Sequence, residues 1–394
     1  MKKIFALLLA AALVFTLVAC GSPEPEPAAP DPEPAQEAPE PEPEPEPEEE
    51  AEEPEEEAGF TAADIRVALV AHSPDSILDD GSFNEGAWAG IQRFLSDHGL
   101  SSDHAEFFQP HSADDVARVD LVEDAIVRWG ANIVVLPGFH FIASSAEMQE
   151  LFPEVKFVLL DATPADGAAA NTAAIHYAEE QAGFLAGYAA VMEGYRDLGF
   201  VGGIAVPAVV RFGHGFLQGA EHAAESLELE HGEVVVQYYY LGAFAPSPEA
   251  QTMAAAWFTG GTEVIFAAAG GAGFSVIAAA DDTGGSVIGV DVDQSGAGEV
   301  VITSAMKALD VSVYDMLTAF LEGRFQGGVL MFDATNNGIG LPMDTSRFQN
   351  FTQAQYDAIF ALLANGTITV DATLGDSPSE AGLEFDLIVV TELN

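Results

Sequence analysis

The chain has 394 residues, 63 acidic against 12 basic, a formal charge of -51 at neutral pH and a single cysteine. That length allows two domains with proper cores, and one cysteine excludes an intrachain disulfide or a cysteine metal cluster. The acid excess argues against nucleic acid or anionic lipid as partners, because both need a basic footprint.

Lys2 and Lys3 precede an apolar run over 4–18 that ends in Leu17-Val18-Ala19-Cys20-Gly21. A short apolar segment behind a basic start reads as a secretory h-region, too short for a comfortable membrane span. Small residues before the cysteine fit the lipobox of bacterial lipoproteins. Residues 1–20 are therefore read as a lipoprotein signal, with Cys20 as the lipid-bearing residue and the mature chain expected in the cell envelope outside the cytoplasm. Residues 21–59 are Pro, Glu, Ala and little else, and hold about 17 of the acidic residues. Such a segment cannot bury enough apolar surface to fold, and self-repulsion extends it. It is expected to be a disordered tether with a reach of roughly 100 Å at ~3.1 Å per residue.

From residue 64 the pattern alternates strand and helix. Strands are expected at 65–70, 105–108, 133–136, 156–160, 200–206, 234–240, 264–268, 287–290 and 300–304. Helical periods fill 84–98, 116–129, 144–151, 178–193, 213–228, 249–259, 273–281 and 312–323. The tail adds strands at 338–341 and 383–390 and a helix at 352–364. Short, near-continuous apolar strands between amphipathic helices indicate parallel sheets covered on both faces. The register restarts near Tyr177, so the fold class is α/β with two doubly wound, Rossmann-like lobes joined by a hinge. The first lobe is expected to span 60–175 plus about 303–335, and the second 176–302 plus about 336–394.

Two helix openings share the spacing F-x2-G-x3-G: Phe83, Gly86 and Gly90, then Phe212, Gly215 and Gly219. Glycines four apart lie on one helical face, where they let the helix settle close on a sheet. An aromatic in the first turn then sits beyond the carboxyl end of the preceding strand, where open α/β sheets bind ligands. A chance spacing of two core residues is the plainer alternative. Charge singles out one more position. After the signal only Lys156 and Lys307 remain as lysines, and Lys307 beside a short apolar strand suggests a specific partner, with a solvated helix-start lysine as the alternative. Asp161 and Asp291 each follow an apolar run and so mark strand ends; a surface turn or helix cap is the alternative for Asp161.

An ordered series of segments carries a resemblance. Residues 180–188 (EQAGFLAGY), 199–203 (GFVGG) and 211–220 (RFGHGFLQGA) join Ser82-Phe83-Asn84, 157–161 (FVLLD), 268–273 (AAGGAG), 288–294 (IGVDVDQ) and 303–307 (TSAMK). Together, over about 64–342, they resemble the basic membrane protein family, lipoproteins related to the purine nucleoside receptor of spirochaetes. The resemblance implies a type I periplasmic-binding-protein fold with three crossovers. It further implies a purine nucleoside or related small solute held between the lobes and delivered to an ABC permease, with no cofactor, no metal, no nucleic acid, and a monomeric receptor anchored to the membrane through lipidated Cys20. By position Phe83 and Phe266 are the implied base-stacking pair, and Phe212 is a further cleft candidate from the repeated spacing. Asn84 suits a purine edge and Asp161 would accept from a ring or amino N–H. Asp291 and Lys307 would hold ribose hydroxyls, and Gly270 and Gly271 would let backbone approach the sugar. One departure stands out. His72 occupies the place of the family's usual aspartate, the loop to Phe83 is about two residues longer, and Gly81 replaces a lysine.

Rival readings are weaker. Gly271-Ala272-Gly273 lacks the full dinucleotide pattern, no nucleophile elbow is present, and the histidines lack zinc-ligand spacing, so an enzyme is disfavoured. A tethered sensor, or a receptor for another solute such as a sugar, would use the same cleft. A DNA-binding repressor on this fold is disfavoured by the signal, the tether and the charge.

Overall fold

The computed structural model describes residues 60–375 and 377–393. The signal segment, Cys20 and the tether expected at 21–59 lie outside the described residues. In chain order the main elements are β1 (Val67–Val70), α1 (Phe83–Asp97), β2 (Ala105–Phe108), α2 (Asp115–Asp124), β3 (Ile133–Pro137), α3 (Ile142–Leu151), β4 (Lys156–Leu160) and β5 (Thr172–Tyr177). Then come α4 (Glu179–Glu193), β6 (Asp197–Gly202), α5 (Pro207–Ser226), β7 (Val234–Tyr240), α6 (Pro248–Gly260), β8 (Val264–Ala268), α7 (Gly273–Thr283), β9 (Ser286–Asp291) and β10 (Val301–Lys307). The chain ends with α8 (Leu309–Leu321), β11 (Gly328–Phe332), β12 (Ile339–Gly340), α9 (Gln353–Ala364) and β13 (Ile388–Glu392).

The strands form two sheets, ordered β11-β5-β4-β3-β1-β2 and β12-β10-β9-β8-β6-β7-β13. Every pairing is parallel except β10 with β12. β1, β3 and β8 are buried along their whole length, the consequence of helices covering both faces of a parallel sheet. Two Rossmann-like lobes result, and the chain crosses between them after β5, after β10 and after β11.

The sheets correct the expected boundaries. β5 keeps the chain in the first sheet through Tyr177 rather than 175. β10 pairs with β9 as far as Met306 and Asp291, so the return to the first lobe comes after Lys307 and not near 303: the ladder hydrogen bonds continue to the strand's end. β5 and β11 were not anticipated. β11 is a continuous apolar run, GVLMF, that lies at the edge of its sheet with Val329 and Met331 exposed.

The shared glycine spacing has a different use from the one expected. Pro207 occupies the first turn of α5, where its missing N–H costs nothing, so this helix opens well before Phe212. A Cβ at Gly215 or Gly219 would collide with the backbone of Glu180 or Phe184 in α4, and one at Gly183 or Gly187 with Phe212 O or Phe216 O in α5. Gly90 likewise meets Asp310 O of α8. The glycines therefore bring helix backbone onto helix backbone, not helix onto sheet. Gly219→Val is expected to lower stability by about 1–3 kcal/mol through overpacking, read as a lower urea midpoint; an unchanged midpoint would mean that α4 and α5 can separate freely.

Candidate functional site

A cavity of about 600 Å³ lies between the lobes, walled by the loops that follow the carboxyl ends of the strands. Such ends are where open α/β sheets place ligands. Its construction begins with an unusual helix cap. Asp80 accepts from the backbone N–H groups of Ser82, Asn84 and Glu85 at 3.0, 3.0 and 3.1 Å, doing for α1 what the N-cap Ser82 side chain would otherwise do. The Ser82 hydroxyl is thereby released to donate across the cleft to Asp291 Oδ2 at 2.6 Å. Gln294 Nε2 donates in the other direction, to Gly81 O at 2.8 Å.

Asp161 and Asp291 sit at the ends of β4 and β9 in the left-handed region, with φ of 58° and 66°. Asp tolerates this conformation better than most residues, and such outliers concentrate at functional sites. Lys307, at the end of β10 and only 4% exposed, joins them. Its Nζ lies 2.5 Å from Asp161 Oδ2, 3.3 Å from Glu179 Oε1 and 3.7 Å from Asp291 Oδ1. Arg211 in turn holds Glu179 Oε2 at 2.7 Å. Burial opposes the charge on Lys307, but the three carboxylates outweigh it and hold the ammonium protonated far above neutral pH. For Glu179 burial is outweighed by Lys307 and Arg211, which keep its carboxyl below the usual range. Asp161 is pushed up to about 7, burial dominating the pull of Lys307, and its Oδ1 is buried without a hydrogen-bond partner. That oxygen is a ready acceptor.

The aromatic positions divide. Phe83 opens α1 and lines the cavity, as does Phe212, which is 2% exposed. The Lys307 ammonium stands 5.0 and 5.2 Å from their ring centroids, within cation–π range. Phe266 is not in the wall. It is fully buried in β8, edge-on to Phe212 at 5.8 Å and packed on Phe200 and Phe216, so it supports Phe212 from behind. Phe244 and Phe274 line the cavity instead. Phe274 sits in the first turn of α7, as Phe83 does in α1, a signal the sequence did carry; Phe244 lies in the loop between β7 and α6.

Asn84 also lines the cavity, and its Nδ2 donates to Ile77 O at 3.1 Å, bracing the loop before α1. Gly270, with φ of 53°, and Gly271 both line it beside Phe244. His72 is half-buried in the wall and stacks on His140. Sequence reasoning missed His140, Glu179, Arg211 and Ser82, because each acquires its role from a partner distant in the chain. The lining includes five aspartates (Asp75, Asp79, Asp80, Asp161, Asp291) and one lysine. Among the described residues no group of three or more His, Cys, Asp or Glu is placed to hold a metal, and no helix is long and apolar enough to cross a membrane.

Residues 66–373 match the family model described as ABC transporter substrate-binding protein PnrA-like, or Bmp. The chain is 26% identical over 337 residues to the ABC transporter nucleoside-binding protein BmpA of Lactococcus lactis subsp. cremoris, covering 79% of this chain and 91% of that one. It is 30% identical over 273 residues to basic membrane protein A1 of Borrelia garinii subsp. bavariensis, covering 67% and 76%. Among solved structures, an ABC transporter solute-binding protein from Conexibacter woesei superposes with a TM-score of 0.64 at 25% identity, over 79% of this chain and all of that one. One from Aeropyrum pernix K1, with a TM-score of 0.63 at 22% identity over 78% and 88%, shares the fold.

Proposed function

From a chain that belongs to the Bmp family of PnrA-like ABC transporter substrate-binding proteins, we infer a receptor that captures a nucleoside, preferentially a purine nucleoside, and releases it unchanged to a permease. The observation that carries this reading is the make-up of the cavity wall: aromatic rings Phe83, Phe212, Phe244 and Phe274 beside the buried cluster of Asp161, Asp291 and Lys307. A planar base gains roughly 1–3 kcal/mol from each aromatic stack, and vicinal sugar hydroxyls suit carboxylate acceptors backed by an ammonium. The name of the Lactococcus relative, a nucleoside-binding protein, supports the same reading. A solute touching both lobes favours their closure by its differential affinity for the closed form. Lipid on Cys20 and the 21–59 tether hold the receptor at the outer face of the cell membrane in this reading.

The test is a thermal-shift series on the full-length protein with adenosine, inosine, guanosine, cytidine, uridine, ribose and nucleoside monophosphates. A ligand at about 100 times its Kd adds roughly 2.7 kcal/mol of stability, so purine nucleosides are expected to raise the Tm clearly. Monophosphates are expected not to, since the lining presents five aspartates and a lysine already engaged by carboxylates. Recovery of intact nucleoside after incubation separates binding from turnover. No shift with any nucleoside, in a sample that melts cooperatively, would reassign the cleft to another solute.

A further inference from the structure

The first lobe contributes an aromatic column to the cavity wall. His72, beyond the end of β1, stacks on His140 with centroids 4.3 Å apart and planes within 11°. His140 in turn lies 3.9 Å from Phe139 at a tilt of 34°. All three line the cavity. They meet because β1 and β3 are neighbours in the sheet, which sets the loops that follow them side by side.

Burial, then His140 and Arg118, push His72 down to about 4. Burial and Arg118 also hold His140 below its usual range, with Asp115 pulling the other way. Arg118 itself donates to His72 O at 3.0 Å and pairs with Asp115. Both rings are therefore neutral near neutral pH, and each offers one N–H donor and one bare nitrogen. Which nitrogen carries the proton is left open on His72. Its protein partner, Ser76 Oγ, lies 3.0 Å from Nδ1 and 3.2 Å from Nε2, and a hydroxyl donates or accepts equally well. The contrast is His214, whose Nδ1 faces Thr373 O at 3.0 Å: a carbonyl only accepts, so that tautomer is locked.

We propose that His72, held in plane by His140, reads the hydrogen-bonding edge of the base, and that its unlocked tautomer lets one cleft take 6-oxo and 6-amino purines alike. The proposal rests on the nucleoside reading above. A 6-oxopurine presents a carbonyl beside a ring N–H, and a 6-aminopurine presents an amino donor beside a bare ring nitrogen. At either position of that edge the two purines have exchanged donor for acceptor, so a fixed group set opposite one position answers only one of them, whereas a neutral imidazole answers either by moving its own proton. His140 acts as a positioning residue.

Calorimetric titration of the full-length protein near neutral pH with inosine and with adenosine tests this, using the parent, His72→Phe and His72→Gln. The parent is expected to bind both ligands with Kd values within about tenfold of each other, the range of one modest hydrogen bond. His72→Phe, which keeps the stack and loses the edge, is expected to weaken both by about tenfold or more. His72→Gln restores a donor and an acceptor and should recover most of that loss, which a purely structural wall residue would not do. Should His72→Phe not melt cooperatively, His72→Leu against His72→Gln gives the same comparison. Parental affinity in the Phe or Leu variant, no recovery in the Gln variant, or a hundredfold parental preference between the two ligands overturns the proposal and leaves the nucleoside reading standing. A parent that binds neither ligand overturns both.

Discussion

Replacing Lys307 by methionine is expected to destabilise the protein by about 3–5 kcal/mol at neutral pH, the usual cost of removing one partner from a buried ion cluster. The ammonium is the group that faces Asp161, Glu179 and Asp291 together, and methionine fills its space without its charge. The pH dependence gives the effect a signature. Loss of the cation raises the folded-state pKa of Asp161, already above its unfolded value near 4, and removes the first of the two charges that hold Glu179 below its own. The folded variant then binds more protons than the unfolded chain, so its stability recovers as pH falls from about 7 toward 5. In the parent, Glu179 has the opposite sign: its lowered carboxyl contributes stability above the unfolded pKa and loses it as pH falls through the folded value. The gap between variant and parent should therefore narrow in acid, as measured by urea unfolding at several pH values. A variant as stable as the parent throughout would mean that the carboxylates are hydrated in solution and that the cluster adds nothing to folding.

Asp291→Asn is expected to weaken nucleoside binding by roughly tenfold to a hundredfold, about 1–3 kcal/mol, through loss of charge-assisted hydrogen bonds. Asparagine is the informative substitution because the residue has φ of 66°, a conformation asparagine also tolerates, and its carbonyl can still accept from Ser82. Fold and cap geometry are thus retained while the charge is removed. Titration with inosine, with the melting curve as a control, reads the effect. An unchanged Kd would take Asp291 out of the site.

Much of the fold was legible from the sequence. Short apolar runs such as 133–136, 157–160 and 264–268, spaced by helical periods, read as strands of a parallel sheet covered on both faces. β5 was not legible in this way, because Thr172 and His176 bound a short apolar stretch of two alanines and an isoleucine; β11, GVLMF, is a continuous apolar run that was legible and was not read as a strand. The site divides along a similar line. Asp161, Asp291 and Lys307 were visible because charge at the end of an apolar run is a local signal, readable without knowing what lies opposite.

Phe266 shows where that reasoning stops. On a strand buried on both faces, alternation carries no information about which side chain faces the core and which the cleft, so Phe266 could not be told from a wall residue until its packing on Phe200, Phe212 and Phe216 was seen. By itself the sequence determined the class of each segment, the two-lobed α/β plan and the strand ends at which chemistry collects, because hydrophobic period and chain punctuation are properties of neighbours along the chain. Only the tertiary structure decided that Lys307 is shared among Asp161, Glu179 and Asp291, that α4 and α5 meet backbone to backbone through glycines, and that His72 stacks on His140. Each of these depends on which distant groups are brought within a few ångströms, and a buried charge or an unlocked imidazole takes its meaning from that partner.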